Sequence, residues 1–226
     1  MVAPDPVRRI GAYEILTALK SGGMASLYLA KRTGAAGFSR HVAIKVVHPH
    51  LAQDRSFVEM FIDEARLTAA IQSPQVVHVE EFGDDRGMYY LVMEYVHGCA
   101  LSQLLRALAV RGRRLTPELA TYLAIQMADG LHAAREARGE GGEPLHVVHR
   151  DVSPQNVLLS YAGHVKIIDF GIAKARSRGK ETTTKSLKGK LRYMAPEQAF
   201  GRPVDRRTDV YALGVVLWEM LTVRRL

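Results

Sequence analysis

The sequence is poor in cysteine and in long hydrophobic runs, and each shortage excludes a class of protein. A single cysteine, Cys99, among 226 residues cannot form an intramolecular disulfide, which favours a reducing compartment. The longest apolar run near the C-terminal end, Val210–Trp218, is about half as long as a membrane-spanning helix. The opening residues, MVAPDPVRRIGAYEIL, contain no apolar core of a signal peptide. We therefore expect a cytoplasmic location and no membrane segment in this chain.

Aromatic residues are scarce beside the positive charges, although the chain as a whole is basic. Its formal net charge is +8, and a basic chain can bind nucleic acid or acidic lipid. However, the basic residues lie in separate segments, Arg111–Arg114, Arg176–Lys190 and Arg202–Arg207. No aromatic residues alternate with them, as a base-stacking surface would require. The pattern favours a solvated basic surface, and we expect no nucleic-acid partner.

The chain has no internal repeats, but its predicted secondary structure changes along its length. The first part is predicted to form short strands after Tyr13 and at residues 26–31, 42–47, 76–82 and 89–95. One helix interrupts them, because apolar residues from Phe57 to Ile71 follow helical spacing. From Ala100 onward helices dominate. One is predicted from the N-cap Thr116 to about Ala137, and another from near Thr208 or Asp209 to about Leu221.

Two motifs in the strand-rich part suggest phosphate chemistry. The turn SGGMA, at residues 21–25, joins two predicted strands, and its glycines allow backbone N–H groups to approach a polyphosphate closely. A plain hairpin turn is the alternative interpretation. Lys45 lies within the apolar strand VAIK, where a lysine is costly unless it is paired. Glu64, on the following helix, is its candidate partner; the alternative is a lysine that faces water.

Two further motifs lie in the helical part. Residues 149–156 read HRDVSPQN and form a polar loop between the apolar pairs Val147-Val148 and Val157-Leu158. Such a loop is well suited to hold catalytic side chains. Asp169 follows a predicted strand and precedes Phe170-Gly171, which places a carboxylate at a strand end. A hard cation such as Mg²⁺ binds a few oxygen ligands of this kind together with substrate phosphates.

The order and spacing of these motifs resemble the eukaryotic-type protein kinase family, over about residues 13–223. The resemblance comprises the glycine turn, VAIK, the helical glutamate, MEYV, HRDxxxxN, DFG and Ala195-Pro196-Glu197. The sequences of the glycine turn, GGM, and of the catalytic loop, DVSPQN, are most similar to those of bacterial serine/threonine protein kinases. The resemblance implies an α+β, two-lobed fold with a small β-rich lobe containing one helix and a larger, mainly helical lobe. The implied domains are an N-terminal extension at 1–12, an N-lobe at 13–96 and a partial C-lobe at 97–226.

The resemblance also implies a cofactor, a metal and a role for each motif residue. Lys45 would hold the α- and β-phosphates of ATP, and Glu64 would orient Lys45. Asp151 would accept or steer the proton of the substrate hydroxyl, while Asn156 and Asp169 would hold Mg²⁺. The implied ATP-contacting residues are Leu19, Gly22, Gly23, Leu27, Ala43, Lys45, Met93, Glu94 and Val96. Protein substrates are the implied partners.

Regulation by phosphorylation is a further implication of the resemblance. Arg150 and Lys174 would form a cationic site for a phosphorylated residue of the activation segment. We rank Thr184 first as the acceptor, followed by Thr182 and Ser186. Self-association would allow the chain to phosphorylate its own activation segment. Asp209 matches the aspartate that braces the catalytic loop in this family.

The sequence departs from the family pattern at several positions. Lys20 and Ala25 replace the first and third glycines of the loop, and Ser153 replaces the expected lysine. Lys190 stands where such kinases usually have threonine, so we hypothesise that Lys190 reaches Asp151 and the γ-phosphate and compensates for Ser153. The chain ends at Leu226, before the family's last helices, and we expect it to be a fragment.

Two alternatives to an active protein kinase remain at this point. The first is a pseudokinase, or a nucleotide-binding regulatory module, without useful phosphoryl transfer. The second is a small-molecule phosphotransferase, which usually lacks the Ala-Pro-Glu segment and the HRD arginine.

Overall fold

The computed structural model of the chain describes residues 9–170 and 191–224. The described residues form an α+β fold of two compact units. The first comprises the residues up to Ala65 together with His78–Tyr95, and the second comprises Arg66–Val77 and the residues from Val96 onward. The first unit is rich in strands and the second is mainly helical, as the sequence predicts. The predicted domain limits at residues 12 and 96 stay predictions.

The first unit is built on one antiparallel sheet with the strand order β1-β2-β3-β4-β6-β5. Its strands are β1 Arg9–Ile10, β2 Tyr13–Ser21, β3 Ala25–Thr33, β4 Ser39–Val47, β5 Val79–Asp85 and β6 Met88–Glu94. A short helix, α1 Pro49–Ala52, and a longer one, α2 Arg55–Ala69, follow β4. The predicted strands after Tyr13, at 26–31, at 42–47 and at 89–95 are thus present, as is the predicted helix.

The sheet of the first unit has apolar residues on both faces, which explains the nearly continuous apolar sequence of β4. On one face, Val42 and Ile44 pack in a cluster with Tyr13 and Tyr90. On the other face, Val47 packs in a cluster with residues of α2, among them Phe61. Alternation of side chains along the strand places Lys45 on the same face as Val47.

The second unit contains four α-helices, a short 3-10 helix at Leu191–Tyr193 and a small sheet among the described residues. The α-helices are α3 Leu101–Val110, α4 Pro117–Glu136, α5 Pro196–Ala199 and α6 Arg206–Thr222. The sheet has the order β7-β8-β9, with β7 Gly98–Ala100, β8 Val157–Ser160 and β9 Val165–Ile167. Thr116 is the N-cap of α4, as predicted, and its Oγ1 accepts the Leu119 N–H over 3.3 Å. Within the described residues, no helix is both long and apolar enough to cross a membrane.

Two predicted boundaries are wrong for physical reasons. The strand predicted at residues 76–82 begins only at Val79, because Val76 and Val77 pair with Ile167 in the second unit instead. The helix predicted from about Thr208 begins at Arg206. Its N-cap is Asp205, whose carboxylate accepts the Arg207 N–H over 2.8 Å.

A glycine allows α4 to pack closely in the second unit. A Cβ at Gly130 would lie 2.9 Å from Ile167 Cδ1 and 3.0 Å from Gln75 Cβ, which is closer than carbon atoms normally approach. The close packing brings α4 against β9, the strand that leads to Asp169.

Candidate active site

Lys45 and Glu64 form an ion pair within the first unit. The Lys45 Nζ lies 3.0 Å from Glu64 Oε1, and Glu64 is only 7% exposed. Lys45 Nζ also lies 5.8 Å from the centre of the Phe61 ring. A buried carboxylate is destabilising without a cation nearby. Lys45 of β4 provides that cation for Glu64 of α2. The predicted pair is therefore present, while its role in nucleotide binding stays a prediction.

The glycine turn is a short connection between β2 and β3 that is held by a hydrogen bond of its own backbone. Gly22 N–H donates to Ala25 O over 3.0 Å, and neither Gly22 nor Gly23 has a positive φ. A Cβ at Gly23 would meet no atom of the described residues within 4 Å. Neither the backbone conformation nor packing against the described residues therefore requires glycine at this position. A bare backbone here permits the close approach of an external group, which fits a bound phosphate.

Several predicted ATP-contacting residues lie on the sheet face of Lys45. Leu27 is opposite Lys45 in the β3–β4 register, and Ala43 is opposite Met93 in the β4–β6 register. The Glu94 N–H donates to His78 O over 3.0 Å, so that a purine contact at Glu94 would use its carbonyl group. Leu19 lies in β2 of the first unit, whereas Val96 belongs to the second.

In the second unit, Asp209 braces the main chain of the HRD segment. Its Oδ2 accepts the His149 N–H over 2.8 Å, and its Oδ1 accepts the Arg150 N–H over 2.9 Å. Arg150 has φ +65°, a left-handed conformation that a non-glycine residue adopts only when its surroundings impose it. Burial raises the pKa of the Asp209 carboxyl group, and these two N–H groups oppose that rise. The predicted brace is present.

His149 joins the catalytic loop to the segment that carries Asp169. Its Nε2 lies 3.1 Å from Ile168 O, an acceptor, and its Nδ1 lies 3.2 Å from the Asp151 N–H, a donor. These partners require a neutral imidazole with its proton on Nε2. The ring is 1% exposed and lies against Phe170, with 4.6 Å between ring centres.

Asn156 holds the Asp151 side chain in place. Its Nδ2 donates to Asp151 Oδ2 and to Asp151 O, each over 2.8 Å. Both partners are acceptors, which determines the orientation of the amide and leaves Oδ1 as its acceptor. The Ile168 N–H donates to Asn156 O over 3.0 Å. Asn156 is therefore hydrogen-bonded to the residue immediately before Asp169.

The donor set fits Mg²⁺. Asn156 offers a carbonyl oxygen and Asp169 a carboxylate at a backbone φ of +57°. Within the described residues, no group of three or more His, Cys, Asp or Glu side chains is placed so that it could hold a metal ion. Mg²⁺ does not require such a cluster, because one or two protein oxygens with substrate phosphates and water complete its coordination.

Ser153 is buried in the catalytic loop, with 2% of its surface exposed. Its carbonyl accepts the Asn156 N–H over 2.9 Å, but its hydroxyl has no hydrogen-bond partner in the described part of the chain. A buried polar group without a partner is uncommon and destabilising. The predicted compensating residue Lys190, the phosphate-binding Lys174 and the phosphosites Thr182, Thr184 and Ser186 lie outside the described residues.

The contact between Gln198 and the catalytic loop was not predicted from the sequence. Its Nε2 donates to Arg150 O over 3.0 Å, and its Oε1 accepts the Ala195 N–H over 3.2 Å. The side chain therefore connects helix α5 to the catalytic loop while it is 5% exposed. The only local signal was a glutamine three residues after Ala195, at the capping-box position of a short helix.

The Ala-Pro-Glu segment is also attached to α6, in addition to its contact with the catalytic loop. Thr208 Oγ1 donates to Glu197 Oε1, and this bond lowers the pKa of Glu197. Nearby, the Tyr193 hydroxyl donates to Glu219 Oε2 over 2.7 Å. Glu197 thus has a hydrogen-bond partner, Thr208, within the described residues.

Comparisons with known proteins agree with this arrangement. The chain matches the family described as protein kinase domain over residues 13–226. It is 52% identical over 213 residues to the tyrosine-protein kinase MasK of Myxococcus xanthus, covering 94% of this chain and 33% of that protein. It is 36% identical over 214 residues to the serine/threonine-protein kinase PrkC of Bacillus subtilis, covering 95% of this chain and 31% of that protein.

A solved structure shows the same similarity. The kinase domain of PknI from Mycobacterium tuberculosis superposes with a TM-score of 0.69 at 26% identity, covering 99% of this chain and 78% of that chain. The chain spans about a third of the length of the two curated relatives.

Proposed function

Because this chain belongs to the protein kinase domain family, we propose that it transfers the γ-phosphate of ATP to serine or threonine hydroxyls of proteins. The predicted family and its α+β kinase fold are confirmed by the family match and by the PknI similarity. The observation that carries the proposal is the pair of hydrogen bonds by which Asn156 holds Asp151. They orient a carboxylate in the motif where this family places its proton acceptor.

In the proposed reaction, a substrate hydroxyl oxygen attacks the γ-phosphorus while the bond to the β–γ bridging oxygen breaks, and ADP leaves. Asp151 accepts the hydroxyl proton and orients the hydroxyl for attack. Lys45 donates to phosphate oxygens, with Glu64 holding its ammonium group. Mg²⁺ would supply neutralisation of the phosphate charge, and Asn156 Oδ1 and the Asp169 carboxylate are the residues that would hold it.

The class of acceptor residue requires a direct test. The relative MasK is named a tyrosine-protein kinase, whereas PrkC and other relatives are named serine/threonine-protein kinases. We propose serine and threonine because this assignment agrees with the larger number of named relatives. Hydrolysis of the labelled product and separation of phosphoserine, phosphothreonine and phosphotyrosine decides between the classes, and phosphotyrosine alone would overturn the serine/threonine assignment.

We further propose a cytoplasmic location, where ATP is available, and self-association during phosphorylation of the activation segment. Thr184, Thr182 and Ser186 are the proposed acceptors, in that order. Mass spectrometry of an active preparation tests these sites. The absence of phosphate from residues between Lys174 and Gly189 would contradict the proposal.

The central experiment is incubation with γ-labelled ATP, Mg²⁺ and a protein substrate, comparing the parent with Asp151→Asn. We expect Asp151→Asn to bind ATP normally and to transfer about 100- to 10,000-fold more slowly, because the proton acceptor is lost. Asp129→Asn, at an exposed position of α4, is the matched control and should retain parental activity. ATP binding without transfer by the parent would instead favour the pseudokinase alternative.

A further inference from the structure

His48 makes two hydrogen bonds to the glycine turn. It follows the last residue of β4, and its backbone N–H donates to Met24 O over 3.1 Å. Its side-chain Nε2 lies 2.8 Å from Gly22 O. A carbonyl oxygen only accepts, so Nε2 carries the proton in this bond. One residue outside the loop therefore holds two of the loop's carbonyl groups.

These two bonds determine which way the neighbouring N–H groups point. In a planar trans peptide the C=O and the N–H point in opposite directions. With Gly22 O turned toward His48, the Gly23 N–H points away from His48. The same holds for Met24 O and the Ala25 N–H. The open space around a Cβ at Gly23 shows that the surface at this residue is accessible. His48 thus helps to orient two backbone donors, the N–H groups of Gly23 and Ala25, away from its own bonding groups.

We propose that His48 is a positioning residue for nucleotide phosphate, acting through the main chain of residues 22–25. This inference rests on the proposed kinase function. Backbone N–H groups oriented in advance bind an anion without the cost of ordering the loop at the moment of binding. This orientation by His48 matters more in a loop with few glycines. Here Lys20 and Ala25 occupy two positions at which the family has glycine. His48 touches no substrate in this proposal, and its effect is on ATP affinity.

Steady-state kinetics of three variants tests the proposal. His48→Leu removes the donor to Gly22 O, whereas His48→Gln keeps a side-chain N–H of similar reach. His50→Gln is the matched control, because the His50 ring stacks on His48 at 5.8 Å between centres and His50 makes no described bond to the loop. ATP is varied at saturating substrate protein, and substrate protein is then varied at saturating ATP. Thermal midpoints are recorded for every variant.

We expect His48→Leu to raise the KM for ATP about two- to tenfold, the range that one neutral hydrogen bond corresponds to. The KM for the protein substrate and the thermal midpoint should stay at parental values. His48→Gln should restore most of the ATP affinity, and His50→Gln should behave as the parent. If His48→Leu does not fold, His48→Asn replaces it, since its amide is too short to reach Gly22 O.

An unchanged KM for ATP in His48→Leu, in an otherwise active kinase, would overturn the proposal and leave the kinase function intact. An equal rise in both KM values, or the same rise in His50→Gln, would show a general structural role and would also overturn it. Lack of any transfer by the parent would contradict the proposed function itself. Binding of ADP, measured by calorimetry, then tests His48 independently of phosphoryl transfer. The dissociation constants for ADP should differ between the variants by the same factor as expected for the KM for ATP.

Discussion

Gln198 holds the main chain of the catalytic loop: its side-chain Nε2 donates to the carbonyl oxygen of Arg150 over 3.0 Å. Arg150 is the residue with the left-handed backbone immediately before Asp151. The contact spans 48 positions of sequence and connects the loop to helix α5. We therefore expect Gln198 to influence the position of Asp151, although it is not one of the catalytic groups.

The Gln198 contact predicts a loss of both stability and turnover. Gln198→Met should leave the Arg150 carbonyl and the Ala195 N–H without partners, which costs about 1–3 kcal/mol of unfolding free energy. We expect kcat to fall roughly tenfold or more, because misplacement of a catalytic group is costly even over small distances. Chemical denaturation and steady-state kinetics measure the two effects.

Gln103 provides the control for this prediction. Its Oε1 accepts the Ala100 N–H over 2.9 Å, the same capping-box bond at the start of α3. Gln103→Met should lower stability through the lost cap and leave kcat unchanged once the protein is folded. Equal kcat values for Gln198→Met and Gln103→Met would show that the Arg150 contact has no part in catalysis.

The Lys45–Glu64 pair predicts an asymmetric response to two substitutions. Lys45→Met should abolish phosphoryl transfer and weaken ATP binding, because the phosphate-binding cation is lost. It should also destabilise the first unit, since Glu64 keeps its burial and loses its ammonium partner. Glu64→Gln should retain the fold and lower kcat. Lys31→Met, on strand β3 and outside the predicted nucleotide contacts, is the control. Nucleotide binding by calorimetry and transfer of labelled phosphate distinguish the cases, and a fully active Lys45→Met would refute the assignment.

The Ser153 hydroxyl, which has no hydrogen-bond partner among the described residues, predicts different effects on stability and on activity. Ser153→Ala removes a buried polar group that forms no described hydrogen bond, so the free energy of unfolding should stay equal or rise by up to about 1 kcal/mol. If the hydroxyl serves the reacting complex, kcat should fall in the same variant. A variant with parental kcat would mean that Ser153 has no function in transfer.

A double substitution tests whether Lys190 compensates for Ser153. Lys190→Thr alone should lower activity about tenfold to hundredfold, the effect of one charge-assisted hydrogen bond. Addition of Ser153→Lys should recover a substantial part of that loss, because it restores a cation and a hydroxyl with their positions exchanged. Parental activity in Lys190→Thr would contradict the hypothesis, and Lys188→Thr is the control for general loss of positive charge.

The Tyr13–Glu81 hydrogen bond predicts a loss of stability at alkaline pH. The Tyr13 hydroxyl donates to Glu81 Oε2 over 2.7 Å, and burial, with this carboxylate, raises the pKa of Tyr13 to about 12. An unfolded tyrosine has a pKa of about 10, so the stabilising contribution is complete below about pH 10. It should be lost as the pH rises through about 12.

Comparison of the parent with Tyr13→Phe isolates this contribution. The difference in unfolding free energy should be about 1.5–3 kcal/mol at neutral pH, as for a hydrogen bond to a charged group, and should shrink above about pH 10. Tyr161→Phe, at a residue that is 73% exposed, should show no such difference. Denaturant midpoints measured from neutral pH to the alkaline limit check both variants. A difference that stays constant across this range would contradict the raised pKa.

Features that depend on a few neighbouring residues were predictable from the sequence by itself. The N-cap at Thr116 needs only its own side chain and the N–H three residues later. Strand β4 could be predicted from its apolar run. The pairing of Lys45 with Glu64, 19 positions away, was predictable for another reason, the cost of a lysine within an apolar strand. The order of the motifs was sufficient to predict the family, because each motif contains the residue types that its step in phosphoryl transfer requires.

Features that depend on distant contacts were decided by the tertiary structure. Val76 and Val77 are as strand-like as their neighbours, yet they pair with Ile167, about 90 positions away, and the predicted strand begins later. His48 and Gln198 have unremarkable local sequences, because their partners, Gly22 O and Arg150 O, lie 26 and 48 positions away. A main-chain carbonyl is present at every residue and leaves no trace in sequence. Only the folded chain determines which carbonyl a given side chain reaches.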